Sequence, residues 1–164
     1  MAVKKLLMLG DPMLYRPSVA VGPGERELVV ETVRDLHDTL VDFRRAHGAG
    51  RAIAAPQIGV FRRIVYMNIG TPLVFVNPVL ADRSEETIDL WDDCMSFPGL
   101  LVRVRRNKRC RIDYLDADFR ESSMDLEGDI SELLQHEVDH LDGVLATMRA
   151  IDNRSFRVGE ISRV

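Results

Sequence analysis

His136-Glu137-Val138-Asp139-His140 places two imidazoles four residues apart, with a carboxylate beside the first. On a helix, side chains at i and i+4 project from one face, so both rings can grip one metal ion. The intervening glutamate then lies within reach of a water that such an ion polarises, and can carry its proton. This is the chemistry of metal-assisted hydrolysis. A hydrolytic site usually takes a third protein ligand. No histidine follows the motif, and His37 and His47, on or just after an earlier helical stretch, read as surface or cap residues. Cys94 is the stronger candidate, because a thiolate binds zinc or ferrous iron well beside two imidazoles. Cys110 alternates with Ile112 and Tyr114 in a strand-like run and reads as core packing.

The motif needs a helix, and the pattern predicts one over residues 129–142. Ile130, Leu133, Leu134, Val138 and Leu141 give it one buried side. Asp129, three residues before Glu132, suits a variant of the capping box, and Gly143 suits its end. A first helix is predicted over 25–47, where Val29, Val33, Leu36, Leu40 and Phe43 share a face and Gly48 and Gly50 follow. Residues 3–22, with Asp11-Pro12, Arg16-Pro17 and Gly22-Pro23-Gly24, read as an extended, turning arm.

The middle is β-rich. Residues 64–68 and 73–77 are short apolar runs bounded by Gly70, Pro72 and Pro78. Over residues 101–115, Val102 and Val104 alternate with Arg103 and Arg105. The pattern resumes after Arg106-Asn107-Lys108-Arg109, which predicts an antiparallel hairpin with one wet face. Residues 122–126 are a further candidate strand and 157–164 a candidate last one. The order of helix, strands, helix, without βαβ alternation, argues for an α+β fold. Antiparallel or mixed β-sheets would pack around a central metal-binding helix, with an N-terminal helix in addition.

The bulk numbers narrow the classes. A chain of 164 residues with no internal repeat fits one domain spanning residues 1–164, large enough to bury a core without disulfides. Hydrophobic residues at 46% and charged residues at 29% are the balance of a soluble globular protein. The net charge of −4 gives no global pull toward DNA or anionic lipid. The apolar run near the start covers only residues 6–9, too short for a signal-peptide core, and no stretch approaches a membrane span. Two cysteines make no disulfide framework, so a reducing cytoplasm is the expected location.

Three segments taken together resemble the peptide deformylases. Gly50-Arg51-Ala52-Ile53-Ala54-Ala55-Pro56-Gln57-Ile58-Gly59 is similar to the family's first motif. Asp93-Cys94-Met95-Ser96-Phe97-Pro98-Gly99 is similar to the second, and Gln135 to Gly143 to the third. They come in family order with family-like separations, and Asp11-Pro12 followed by Leu14 is similar too. The resemblance implies removal of the formyl group from the N-terminal formylmethionine of nascent proteins, with ferrous iron (Fe2+) as the native metal and zinc, nickel or cobalt as replacements. It implies Cys94, His136 and His140 as ligands and Glu137 as the catalytic glutamate. It also implies Gln57 as an amide donor to the reacting oxygens, and Met95 as the residue whose backbone N–H points at the formyl oxygen.

The surroundings depart from that pattern. Asp92-Asp93 stands where the family has Glu-Gly, and Ala52 replaces a glycine. Arg51, Asp129 and Glu132 stand where apolar residues often shape the methionine pocket, and Leu101 stands near a common arginine. An apolar side chain prefers an apolar slot, so charges there would need pairing, Arg51 with Glu132 or Asp129. Two competing functions follow: a zinc endopeptidase that shares H-E-x-x-H, and a deformylase-like protein that only binds N-termini. The run Arg103, Arg105, Arg106, Lys108, Arg109 and Arg111 is the one basic cluster. It reads first as the wet face and tip of a hairpin, and second as a transient contact with ribosomal RNA phosphates.

Overall fold

The computed structural model describes residues 3–159. The first helix, α1 (Arg26–His47), buries Val29, Leu36, Leu40 and Phe43 as the spacing predicts, and ends at Gly48. Seven strands follow: β1 (Ala52–Ala54), β2 (Ile64–Asn68), β3 (Pro72–Ala81), β4 (Thr87–Asp92), β5 (Leu100–Asn107), β6 (Arg109–Leu115) and β7 (Glu121–Glu127). Helix α2 (Gly128–Leu141) carries the H-E-x-x-H motif, and a short strand, β8 (Phe156–Val158), comes last. Of the strand expected over 157–164, residues 157 and 158 lie in β8, Gly159 does not, and 160–164 lie outside the described residues. The architecture is α+β. One sheet has the order β1-β2-β3-β6-β7 and a smaller one β4-β5-β8, with antiparallel pairing in both.

The expected hairpin over 101–115 is not one. β5 pairs with β4 and β8, whereas β6 pairs with β3 and β7, so the chain leaves one sheet and enters the other at Lys108. The crossing is tied by Lys108 N–H to Glu86 O (2.9 Å) and by Gly128 N–H to Lys108 O (2.9 Å). Alternation identifies a strand and its faces but says nothing about which strand lies beside it. The true hairpin is β6 with β7, joined through the turn at residues 116–120.

The spacing predicts one buried side for α2, yet every residue from Ser131 to Leu141 is buried. The helix runs between the sheets, touching β5 of the small sheet and β1, β2, β3, β6 and β7 of the large one. Leu134, Val138 and Leu141 join Val65, Phe75 and Ile112 in one core cluster. The expected capping box is also absent: the cap residue is Glu127, no side chain caps the helix start, and Asp129 turns to Arg51 instead.

The N-terminal arm straps the pieces together. Leu7 N–H donates to Gln57 O, Leu9 N–H to Ser96 O, and Ser18 N–H to Leu141 O, each at 2.8 Å. The strap crosses the end of α2 so closely that only a glycine fits at position 143. Its φ is +72°, and a Cβ there would overlap the Tyr15 carbonyl oxygen and lie 2.6 Å from its carbon. Gly143→Ala should therefore cost about 2–4 kcal/mol, from left-handed strain and overpacking combined. A chemical-denaturation midpoint equal to that of the parent would show that the arm yields freely.

Candidate active site

The two motif histidines converge as their spacing requires. His136 Nε2 and His140 Nε2 lie 3.1 Å apart, and Cys94 Sγ is 3.2 Å from His140 Nε2. The three ligand atoms all lie within 4.8 Å of one another, on side chains no more than 7% exposed. Cys94 arrives from the tight turn after β4, closed by Phe97 N–H to Cys94 O (3.1 Å). Ser96 N–H and the Gln57 amide both point at its sulfur, at 3.4 and 3.5 Å, which suits a thiolate.

Each orienting bond has a partner. His136 Nδ1 meets the Asp92 carboxylate at 2.9 Å, so its Nε2 lone pair faces Cys94 and His140. Asp92 in turn accepts from Arg106 at 3.1 Å, Arg106 also grips Asp139, and Asp139 is held by Arg149 at 2.8 Å. Burial would raise the Asp92 carboxyl, but the facing His136 and Arg106 more than reverse this and hold it below the usual carboxylate range. Burial likewise works against a charged His136, but Asp92 and Cys94 outweigh it and hold that imidazole well above its ordinary value. Burial, then the charge of His136, push His140 well below. Two nitrogens and a sulfur thus converge at one buried point. A divalent ion answers that arrangement, and a donor set of two imidazole nitrogens and one thiolate sulfur fits zinc or ferrous iron.

Glu137 lies on the next helix position, 3% exposed. Burial pushes its carboxyl up to about 7, with the charge of His136 opposing. That value suits a group that must both take and give a proton. Its Oε2 has no hydrogen-bond partner among the described residues. Gln57 sits on the short turn after β1, its Oε1 held by Ala54 N–H (2.9 Å) and its amide N–H on Ser96 Oγ (3.1 Å). A cleft of about 40 Å³ is lined by Gln57, Cys94, Met95, His136 and Glu137, with His140 buried beside its ligand partners. All six residues singled out in the sequence therefore come together.

The departures come together too. Arg51, Asp93 and Glu132 line the same cleft. Arg51 pairs with Asp129 at 3.0 Å and with Glu132 at 3.6 Å, the pairing that burial demands. Burial and the nearby Asp92 charge raise the Glu132 carboxyl to about 8, with His136, Arg106 and Arg51 opposing. Leu101 is buried in the small sheet. His37 meets the Tyr66 hydroxyl at 2.6 Å and exposed His47 packs on the Phe43 ring, so neither approaches the centre. Cys110 is buried against Ser131, as core packing implies.

Two functional positions escape a reading of the sequence. Asp92 stands there only as a departure from the family pattern, yet it orients His136. Arg106 stands within the wet basic run, yet it is 4% exposed and anchors Asp92. The signal is present: Arg106 continues the face of Val102 and Val104, not that of Arg103 and Arg105. The rest of the run lies at the surface and is paired. Arg103 and Arg105 face Asp89, Lys108 and Arg109 face Glu86, and Arg111 faces Asp82 and Asp113.

A helix bearing H-E-x-x-H, with a cysteine brought to it from a second segment, defines a metallohydrolase-type centre. Residues 3–155 match the family model for polypeptide deformylase, and the chain belongs to that family of hydrolases acting on formyl-amide bonds. It is 38% identical to peptide deformylase 1 of Prochlorococcus marinus (strain MIT 9313), over 95% of this chain and 85% of that one. It is 35% identical to the peptide deformylase of Thermomicrobium roseum, over 96% and 91%. The crystal structure of the Thermotoga maritima peptide deformylase superposes with a TM-score of 0.84 at 29% identity, covering 93% of this chain and all (100%) of that one. The Synechococcus elongatus enzyme in complex with actinonin superposes with a TM-score of 0.85 at 28% identity, covering 93% and 81%. Among the described residues, no helix is long and apolar enough to cross a membrane.

Metal analysis checks the ligand set: Cys94→Ala is expected to lose its ion, and full occupancy would remove Cys94 from it. Asp92→Asn keeps the shape but removes the charge behind His136. It should weaken metal affinity about tenfold in a chelator competition. Unchanged affinity would reduce the Asp92–His136 bond to a packing contact.

Proposed function

We propose that this chain removes the formyl group from the formylmethionyl N-termini of nascent proteins in the cytoplasm, with one divalent ion held by Cys94, His136 and His140. The observation that carries this reading is the buried convergence of those three donors beside the Glu137 carboxyl. Ferrous iron is the proposed native ion, and zinc, nickel or cobalt can replace it. When bound, the ion supplies Lewis acidity, lowering the pKa of water and polarising the formyl oxygen.

The chain's own groups do the rest. Glu137 takes the proton of the attacking water. As the water oxygen bonds to the formyl carbon, negative charge grows on the formyl oxygen, and Gln57 and the Met95 N–H donate to it. Glu137 then delivers its proton to the departing amine, leaving formate and a free N-terminus. A ribosome contact through the surface run has weaker support, because Arg103, Arg105, Lys108, Arg109 and Arg111 already face carboxylates.

Formate release from a formyl-Met peptide, assayed anaerobically on the iron-loaded enzyme beside casein cleavage, tests the reading. Release with intact casein is expected; cleaved casein or no release overturns it. Glu137→Ala should keep its metal and slow release by about 10²- to 10⁴-fold. An active variant would reject the proton path.

The charged lining bears on rate. Burying a methionine side chain in an apolar slot is worth roughly 1.5–3 kcal/mol. The Arg51–Glu132 pair occupies part of the cleft wall, so kcat/KM for formyl-Met peptides is expected to fall about ten- to a hundredfold below that of a relative with an apolar pocket. Replacing Arg51 and Glu132 together by isoleucine should restore part of that loss, since changing one alone strands the other charge. If the double variant gains nothing, Asp93 and Ala52 become the residues to change next.

A further inference from the structure

The turn after α2 is anchored against the small sheet. Leu145 and Ala146 are buried, Ala150 bridges Val104 of β5, and Ile151 N–H donates to Arg103 O at 3.1 Å. The backbone at Arg149 is therefore fixed, and its side chain, 47% exposed, reaches Asp139 on α2. The contact is a two-pronged fork. Nη2 donates to one carboxylate oxygen at 2.8 Å and Nε to the other at 3.2 Å. A planar guanidinium on a carboxylate fixes orientation as well as charge.

Exposure falls along the contacts that follow. The Asp139 side chain is 12% exposed, that of Arg106 4% and that of Asp92 3%. Arg149, Asp139, Arg106 and Asp92 alternate in sign and end at His136 Nδ1, 2.9 Å from Asp92. Two cations thus balance two anions before the ring is reached. Without Arg149, Arg106 is the one cation left to Asp139 among the described residues, and it must serve two buried carboxylates. An uncompensated buried charge is costly, so Arg106 would be drawn toward Asp139 at the expense of its 3.1 Å bond to Asp92. Asp92 would then hold the imidazole of His136 less firmly.

We propose that Arg149 is a remote positioning residue of the metal centre: by meeting the charge of Asp139 it leaves Arg106 to Asp92, and Asp92 to the ring of His136. The inference rests on the ligand set proposed above and not on the reaction. It gives a half-exposed side chain, outside the lining of the catalytic cleft, control over how tightly the ion is held.

Zinc affinity, read by chelator competition on the full chain, tests this. Arg149→Ala should weaken it about fivefold, less than the loss expected for Asp92→Asn because the change lies further from the ring. Arg149→Lys keeps the charge and a donor, and should recover part of the loss. The Asp92→Asn/Arg149→Ala double variant separates positioning from general loosening. If Arg149 acts through Asp92, the double variant binds zinc no more weakly than Asp92→Asn alone. Losses that multiply would overturn the proposal. So would parental affinity in Arg149→Ala, or tighter binding, the sign expected when a like charge is removed near the ion. Arg120→Ala removes an equal charge from the β6–β7 turn and should change nothing; weakening equal to that of Arg149→Ala would also overturn it. A parent chain that binds no zinc would instead overturn the ligand set, and this inference with it.

Discussion

The buried Asp92 carboxylate, shared between His136 Nδ1 and Arg106, sets the terms for the rest of the molecule. A charge taken from water must be met by opposite charge and by hydrogen bonds, and the requirement passes along the chain of contacts. Asp92 needs Arg106, Arg106 needs Asp139, and Asp139 is completed by Arg149. These residues belong to β4, β5, α2 and the turn after α2. Satisfying them fixes the small sheet against the helix. Cys94 follows Asp92 by two residues, so the same constraint delivers its sulfur to the two imidazoles.

Packing alone would not do this. Because α2 is buried on every side, the hydrophobic effect holds it inside without choosing its rotation about its axis. Leu134, Val138 and Leu141 favour the large sheet, but their neighbours are apolar and tolerant of repacking. The polar network is not tolerant. A rotation by one residue would turn His136 from Asp92 and leave two charges uncompensated. Buried ion pairs add little net stability compared with apolar substitutes. Here the network confers register, and register is what three metal-ligand atoms within a few ångströms of each other require.

This explains what was legible in the sequence and what was not. The two helices and strands β2 and β7 could be read from local periodicity, and the grouping of Cys94, His136 and His140 from a short motif together with a resemblance. The pairing of β5 and β6 with other strands could not, since a period of two carries no partner information. The capping box failed for a related reason. Asp129 and Glu132 have the right types at the right spacing, but Arg51, far away in sequence, offers a stronger partner than the helix N–H groups. Arg106 was hidden by its neighbours: five exposed or half-buried basic residues made a buried one look like a sixth. The strand's own alternation separated it from them, and outweighs composition as evidence for burial.

The same logic accounts for a cleft that joins a candidate metal centre to a charged side-chain wall. On the hydrolytic side the demand is positional. An ion accepts donors only at fixed distances, so a metal held by Cys94, His136 and His140 would leave those side chains and the groups that aim them little latitude. On the wall the demand is only that charge be balanced and space be filled. Arg51 and Glu132 meet it as a pair, with Asp129 as a third member at the exposed edge. The two sides are nonetheless coupled through Asp92. Its charge, second only to burial, raises the Glu132 carboxyl, whereas Arg51 and Arg106 pull it down. A wall residue therefore cannot change its charge without being felt at the carboxylate that orients His136, and the arginine at position 51 keeps an acidic wall compatible with an intact metal centre.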